Sequence, residues 1–369
     1  MLNTVAESQK IPHQNFIDWM KAVGMLLIVI GHIFGGTDVI FNQVTQPIYT
    51  KQLGVSFFVF ITGWSLANDR KPRFNVLFNR LFAIYFYGIV AAFLVSAIFF
   101  FYKDDTNPSN YLPFLGGVNV LINSFPANPT TWYIGLYIHL LLFWCFFLQG
   151  KQIKVGHLLV VFCIENLVRC LLISVGKNMI AYMLISNWIT IFLLGSYLQR
   201  YKDLMFHPKA LLLFVAWILF MALWPSLTSS LVLDKGFPFR SLAIDGAWAL
   251  PVQSLLVSII YLMNTLLFFM IVRYLPLLSP ITFFARNTLI IFIAHMPIIF
   301  ELSGYFYSLF SPDSEIVKRL VWIAVLYVGL GIFSEIVQRS INLRKIRTLA
   351  WSFVIKYFPK LDSHHPSTN

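Results

Sequence analysis

The segment DWMKAVGMLLIVIGHIF, residues 18–34, carries Asp18, Lys21 and His32 inside an otherwise apolar run. An imidazole is the side chain that titrates nearest neutral pH, and an ammonium group binds anions, so the pair could do proton and anion chemistry. Ionisable groups inside a lipid-soluble segment cost free energy to insert and mark functional positions by default. On a helix, Lys21 and His32 are 11 residues apart, which places them within about 20° of the same face and about 16 Å apart along the axis. Asp18, one turn before Lys21, lies near that stripe and can pair with the lysine. The plain alternative makes Lys21 an interfacial anchor and His32 an interhelical hydrogen-bond donor.

Other polar residues in apolar segments carry less chemistry. Glu165 and Arg169 stand at i and i+4 and read as a structural ion pair. Arg286 and His295 are nine residues apart, on opposite faces of one helix, so one faces a cavity when the other faces a neighbouring helix. His139 reads as a packing residue. The three cysteines, Cys145, Cys163 and Cys170, lie in apolar segments at spacings that match no metal site and read as small buried hydrophobes.

These residues must be positioned by membrane-spanning helices. The chain is 58% hydrophobic and only 11% charged, against about 25% charged residues in soluble proteins. Its apolar segments are each close to the length that crosses a bilayer as a helix, and they lack the alternation of a β-barrel. Ten spans are expected, at residues 18–36, 53–68, 76–102, 131–149, 156–175, 180–199, 209–232, 248–272, 279–300 and 317–338. With both termini cytoplasmic, 18 lysines and arginines fall inside and 7 outside, with Arg169 and Arg286 within spans. That bias obeys the positive-inside rule. The net charge of +12 is thus a topology signal and calls for no nucleic-acid partner.

The N-terminus lacks the short apolar core and cleavage site of a signal peptide, so the first span is expected to act as its own insertion signal. Two longer outer connections, residues 103–130 and 233–247, are rich in turn formers. Residues 1–342 are expected to form one ten-span domain. Residues 343–369 form a basic amphipathic cytoplasmic tail, in which NLRKIRTLAWSFVIKYF reads as a helix lying on the inner membrane face. No internal repeat of the kind found in many transporters is visible.

Four stretches in order resemble the integral-membrane acyltransferase family 3. The first span of that family carries Arg or Lys, ten residues, then His, as do Lys21 and His32 in IDWMKAVGMLLIVIGH. Its second span typically reads like GVDLFFVLSGF, and Gly54 to Trp64 read GVSFFVFITGW. PTTWYIGLYIHLLLF, around Trp132, is similar to its WFLxAL helix. RNTLIIFIAHMP, from Arg286 through His295 to Pro297, is similar to its RNSLGIYLLHxP helix. The family often carries an RxxR pair at the inner end of span three, where this chain has Arg80 but Leu77 in place of the first arginine.

The resemblance implies an inner-membrane O-acyltransferase of a bacterium. An acyl group, acetyl in the first instance, would pass from acetyl-CoA or another acyl-CoA in the cytoplasm to a hydroxyl of an outer glycan or polysaccharide. His32 is then the general base or the acyl carrier. Lys21 shares the catalytic stripe, and Arg80, Arg73 and Lys71 are placed to meet donor phosphates, with Arg70 beside them. Asp38, Trp132, Arg286, Asn287 and His295 are expected to line substrate, with Tyr133 and Asn42 as further outer candidates. No metal is implied, and membrane lipid is the surrounding partner. A transporter or flippase for a glycan or small metabolite, and a glycan polymerase, are the competing readings. The missing repeat and the near absence of intramembrane carboxylates argue against transport. Neither the oligomeric state nor the identity of the sugar is encoded in any pattern of the sequence.

Overall fold

The computed structural model describes residues 14–34, 50–67, 69, 71–103, 116–123, 131–201, 211–212, 214–219, 248–310 and 312–362; side chains are described except at 50, 51, 92–103, 249 and 362. Among the described residues every regular element is a helix. The main elements are α1 (Asn15–Ile33), α2 (Thr50–Leu66), α3 (Arg73–Lys103), the short α4 (Asn119–Ile122) and α5 (Thr131–Phe143), which runs on into a π-helical turn (Trp144–Leu148). They continue with α6 (Val155–Ser174), α7 (Asn178–Met183), α8 (Ile189–Arg200), α9 (Ala249–Val272), α10 (Ser279–Leu309), α11 (Glu315–Ser340) and α12 (Leu343–Tyr357).

Among the described residues, seven helices are long and apolar enough to cross a membrane. α6 shows why such a helix needs lipid. Its only buried residues are Glu165 and Arg169, while Leu159, Val160, Ile164, Leu167 and Leu171 face outward. An apolar exterior around a charged interior is stable only where the solvent is itself apolar. The chain is a multi-pass membrane protein. Cys163 belongs to this outward face and Cys170 is half-buried; of the three cysteines expected in the interior, Cys145 alone is there. Hydropathy is the same for a lipid-facing and a core-facing position, which is why the two were not separable.

α1 lies at the centre, packed against α2, α9, α10 and α11. Helices gain little from burial when the surroundings are already apolar, so close van der Waals packing by small residues takes over. Gly24 and Gly54 bring α1 and α2 together, and Gly63 and Gly195 bring α2 and α8 together; a Cβ at Gly54 or Gly63 would overlap the carbonyl oxygen of Gly24 or Phe192. This accounts physically for both glycines of GVSFFVFITGW. The crossing is tied at its end by Trp64 Nε1–H, which donates to Gln14 Oε1 at the start of α1. Phe16, Trp64 and Phe269 close an aromatic cluster beneath it.

The span expected at 180–199 is broken into α7, a 3-10 turn (Ile185–Asn187) and α8. Broken backbone is tolerated at membrane depth only when protein satisfies its polar groups. Asn187 Nδ2 and Trp188 Nε1 both donate to the Tyr182 carbonyl, at 3.1 and 2.8 Å. Glu165 Oε2 accepts from the backbone N–H of Thr190 at 3.2 Å, at the positive end of α8. Arg169 completes the node, donating to Glu165 Oε1 (2.8 Å), Asn187 Oδ1 (2.7 Å), Ser258 Oγ (2.7 Å) and the Ser254 carbonyl (2.8 Å). The expected ion pair therefore also clamps a helix break against α9.

Arg169→Ala removes the partner of a buried carboxylate and is expected to cost about 3–5 kcal/mol. Thermal unfolding in detergent, followed by tryptophan fluorescence, should show a clear drop for Arg169→Ala and none for Lys177→Ala on the neighbouring exposed turn.

Candidate functional site

α1 and α10 run side by side in the same direction, with Trp19 Nε1–H donating to the Pro276 carbonyl near one end (3.1 Å). Further along, His32 faces His295. His32 Nδ1 and His295 Nε2 are 3.1 Å apart, and the two rings meet edge to edge, with centroids 5.2 Å apart and planes 17° from parallel. His295 is fully buried and sits near the middle of α10, two residues before Pro297, which cannot donate to the Ile293 carbonyl.

The surroundings of His295 decide where the protons lie. Its Nδ1 faces the carbonyl oxygens of Phe292 at 2.8 Å and Ile291 at 3.2 Å. Both are acceptors only, so Nδ1 carries the hydrogen. In the neutral ring Nε2 then accepts, and its donor is the Nδ1–H of His32. His32 in turn holds its lone pair on Nε2, which makes that nitrogen the basic atom of the pair. A backbone carbonyl thus sets the tautomer of one histidine, which sets the tautomer of the other. The ring of Phe292 packs 5.8 Å from His295, and Tyr133 meets Phe292 edge-on at 5.5 Å.

Towards the start of α1, Lys21 lies within electrostatic reach of Asp18 on its own helix and of Arg80 on α3. Lys21 and Arg80, far apart in sequence, form one basic locus at the same end of the bundle. Arg73 is exposed at the start of α3, and Lys71 is exposed just before it. The Lys71 carbonyl accepts from Gln149 Nε2 at 2.8 Å. Asp38, Asn42 and Arg70 lie outside the described residues.

The remaining expected positions separate from the histidines. Trp132 packs among Tyr182 and Trp188, at 4.8 and 6.0 Å between centroids. Arg286 and Asn287 face α11. Arg286 Nη2 donates to Glu335 Oε2 at 2.7 Å, and Asn287 Nδ2 donates to the same oxygen at 3.1 Å. Asn287 Oδ1 accepts from Ser334 Oγ and Gln338 Nε2, each at 2.7 Å. Arg339 Nε takes the other oxygen of Glu335 at 2.8 Å. Glu335 was not singled out from the sequence: its i+4 pairing with Arg339 was the available signal, while its other partners, Asn287 and Arg286, come from another helix 48 and 49 residues away in sequence. His139 sits beside Gly117, at the left-handed turn that precedes α4. Among the described residues no three His, Cys, Asp or Glu side chains gather as a metal site would require.

A family model described as an acyltransferase domain, that of acyltransferase family 3, matches residues 14–337. The chain belongs to this family. The match begins at α1 and ends within α11, so it includes both histidines, the basic locus and Glu335. As a member of the family, the protein is a membrane acyltransferase. No curated protein and no solved structure matches the chain.

The tautomer assignment can be read directly. In 15N-histidine spectra of the detergent-solubilised protein, both His32 and His295 are expected to carry hydrogen on Nδ1 with unprotonated Nε2. An Nε2–H signal from His295 would overturn it. His295→Phe should release the tautomer preference of His32.

Proposed function

We propose that this membrane acyltransferase moves an acyl group, acetyl in the first instance, from acyl-CoA on the cytoplasmic side to a hydroxyl of an extracytoplasmic glycan or polysaccharide, in a bacterial inner membrane. The observation that carries the reading is the His32–His295 pair, whose hydrogen bonds leave the lone pair on His32 Nε2. An acyl transfer to a hydroxyl needs such an atom. The acceptor O–H gives its proton to Nε2 as its oxygen attacks the thioester carbonyl. The C–S bond breaks, and the imidazolium returns the proton to the departing thiolate. One ester and one thiol result.

His295 is a positioning residue in this scheme. Its buried ring, anchored on two α10 carbonyls, holds His32 in the tautomer that can accept a proton and, through Nδ1, supports the charge that develops on it. The covalent route, in which Nε2 itself takes the acyl group, uses the same atom. Lys21 and Arg80 mark the donor's end. Their locus lies about 16 Å along α1 from His32, by the rise of a helix, a gap for the long thiol arm of the donor. Leu77 stands where the first arginine of the RxxR pair would be, and Arg73 and Lys71, exposed at and just before the start of α3, are the further cations for the donor phosphates.

The orientation follows from the lysine and arginine bias, which puts the Lys21 end in the cytoplasm. The glycan would enter from the opposite end, above His32. α12 supports the same frame. It is basic, has no buried residue, and exposes Leu349, Phe353 and Tyr357, as a helix lying on the inner membrane face would.

Purified protein supplied with labelled acetyl-CoA and glycan acceptors should acylate the acceptor, with His32→Ala lowering the rate about 10²–10⁴-fold. His295→Ala should fall between that variant and the native chain. Wild-type activity in His32→Ala would remove the histidine from the mechanism. Unmodified glycan crossing proteoliposomes would instead favour transport.

A further inference from the structure

A second cavity lies outside the histidine site. It measures about 440 Å³ and is an open cleft bordered by α3, α10, the end of α11 and the start of α12, with Arg286, Arg339, Arg344, Gln338, Asn342 and Tyr87 on its walls. That volume is in the range of small-ligand sites, about 300–1,000 Å³. Among the described residues, three guanidiniums line it and no carboxylate does. Glu335 holds two of them, with one oxygen on Arg286 and the other on Arg339.

Glu335 does not cancel this charge. One carboxylate against three arginines leaves an excess of two positive charges around the cavity. Each ion pair occupies a single nitrogen of its arginine, Nη2 of Arg286 and Nε of Arg339, whereas a guanidinium carries five N–H donors. The carboxylate therefore works as a splint, holding two planar forks at the cavity edge in fixed orientation. Glu335 is itself held by Asn287 Nδ2, and Asn287 by Ser334 and Gln338. The third fork comes from a separate element. Asn342 caps α12 by accepting from the Lys345 N–H at 3.0 Å, which aims the positive end of a 15-residue helix, and Arg344 in its first turn, at the same space.

We propose that this cavity is a binding site for a phosphate-bearing ligand, held by Arg286, Arg339 and Arg344 at the junction of α10, α11 and α12. Forks in fixed planes from three directions suit a tetrahedral group with several acceptor oxygens better than a single planar carboxylate. Two sources supply that chemistry: the phosphates of a soluble nucleotide-type molecule such as coenzyme A, and the headgroup of an anionic phospholipid. The cavity lies at the Lys21 end of the bundle, since Ala83 on its wall is one turn from Arg80. The assignment stands without the acyl-transfer reading, because it concerns binding alone.

The test uses the full chain in neutral detergent and in lipid nanodiscs, with Arg344→Glu as the main variant. Arg339→Lys keeps the charge and removes the fork, and Lys177→Glu on an exposed turn away from the cavity is the control. Unfolding temperatures equal to the native protein's establish that the variants are folded. Calorimetric titration with pyrophosphate and with coenzyme A reads the soluble source. Native mass spectrometry of protein drawn from nanodiscs with and without phosphatidylglycerol reads the lipid source. A loss of roughly tenfold or more in either affinity for Arg344→Glu, a smaller loss for Arg339→Lys and none for Lys177→Glu is expected. Loss in the titrations identifies a soluble phosphate ligand, and loss of retained lipid alone identifies a headgroup. Binding of both probe classes unchanged from the Lys177→Glu control overturns the site. A protein that retains lipid through Arg344 yet does not bind coenzyme A would keep the cavity and remove the donor reading above.

Discussion

In a bilayer there is no water to satisfy a polar group, so each buried donor or acceptor must find its partner inside the protein. The bundle answers that constraint at three nodes. Arg169 and Glu165 close a break between α7 and α8 and bind it to α9. Asn287 and Glu335 join α10 to α11. His32 and His295 join α1 to α10. Between the nodes, helices meet through glycine and aromatic packing, as at Gly24 with Gly54 and at Phe16 with Trp64.

The nodes differ in what they can do. The Arg169 node is saturated: both carboxylate oxygens and every guanidinium nitrogen have partners within the protein. Such a network holds structure and offers little to a ligand. The histidine pair is ordered so that one nitrogen stays basic. At the Glu335 node the carboxylate is fully occupied, yet the arginines it orients still face a cavity. Reactivity in this protein follows from which atoms a node orients rather than from the cost of placing it in the membrane.

α1 is the element that links these properties. It is buried against four other helices, it carries the basic end of the stripe at Lys21, and it delivers His32 to α10. Tyr327 Oη–H donates to the Ala22 carbonyl at 2.7 Å, so α11 grips the same helix. A shift of α1 by one residue would move His32 away from His295 and bring Gly24 out of register with Gly54. The glycines that set its depth are thus part of the site's geometry although they lie a helix turn or more from it.

Much was legible in the sequence because hydropathy and helical periodicity are local. Composition and apolar run length placed the helices within about three residues where the structure describes them, except that α10 runs on to Leu309, nine residues past its expected end, and the Lys21 to His32 spacing put both on one face. The structure alone decided which distant residues meet. His32 and His295 are 263 positions apart, and nothing in a lone histidine says which partner orients it. The break at 184–188 was invisible because a hydropathy window counts side chains, whereas the break depends on Asn187, Trp188 and Glu165 satisfying backbone groups. Cys163 was misassigned for a related reason, since an apolar residue facing lipid has the same composition as one facing the core. Local chemistry determined the helices and the face that carries the stripe; hydrogen bonds between helices, which only packing creates, decided the tautomers, the clamp and the arginine-lined cavity.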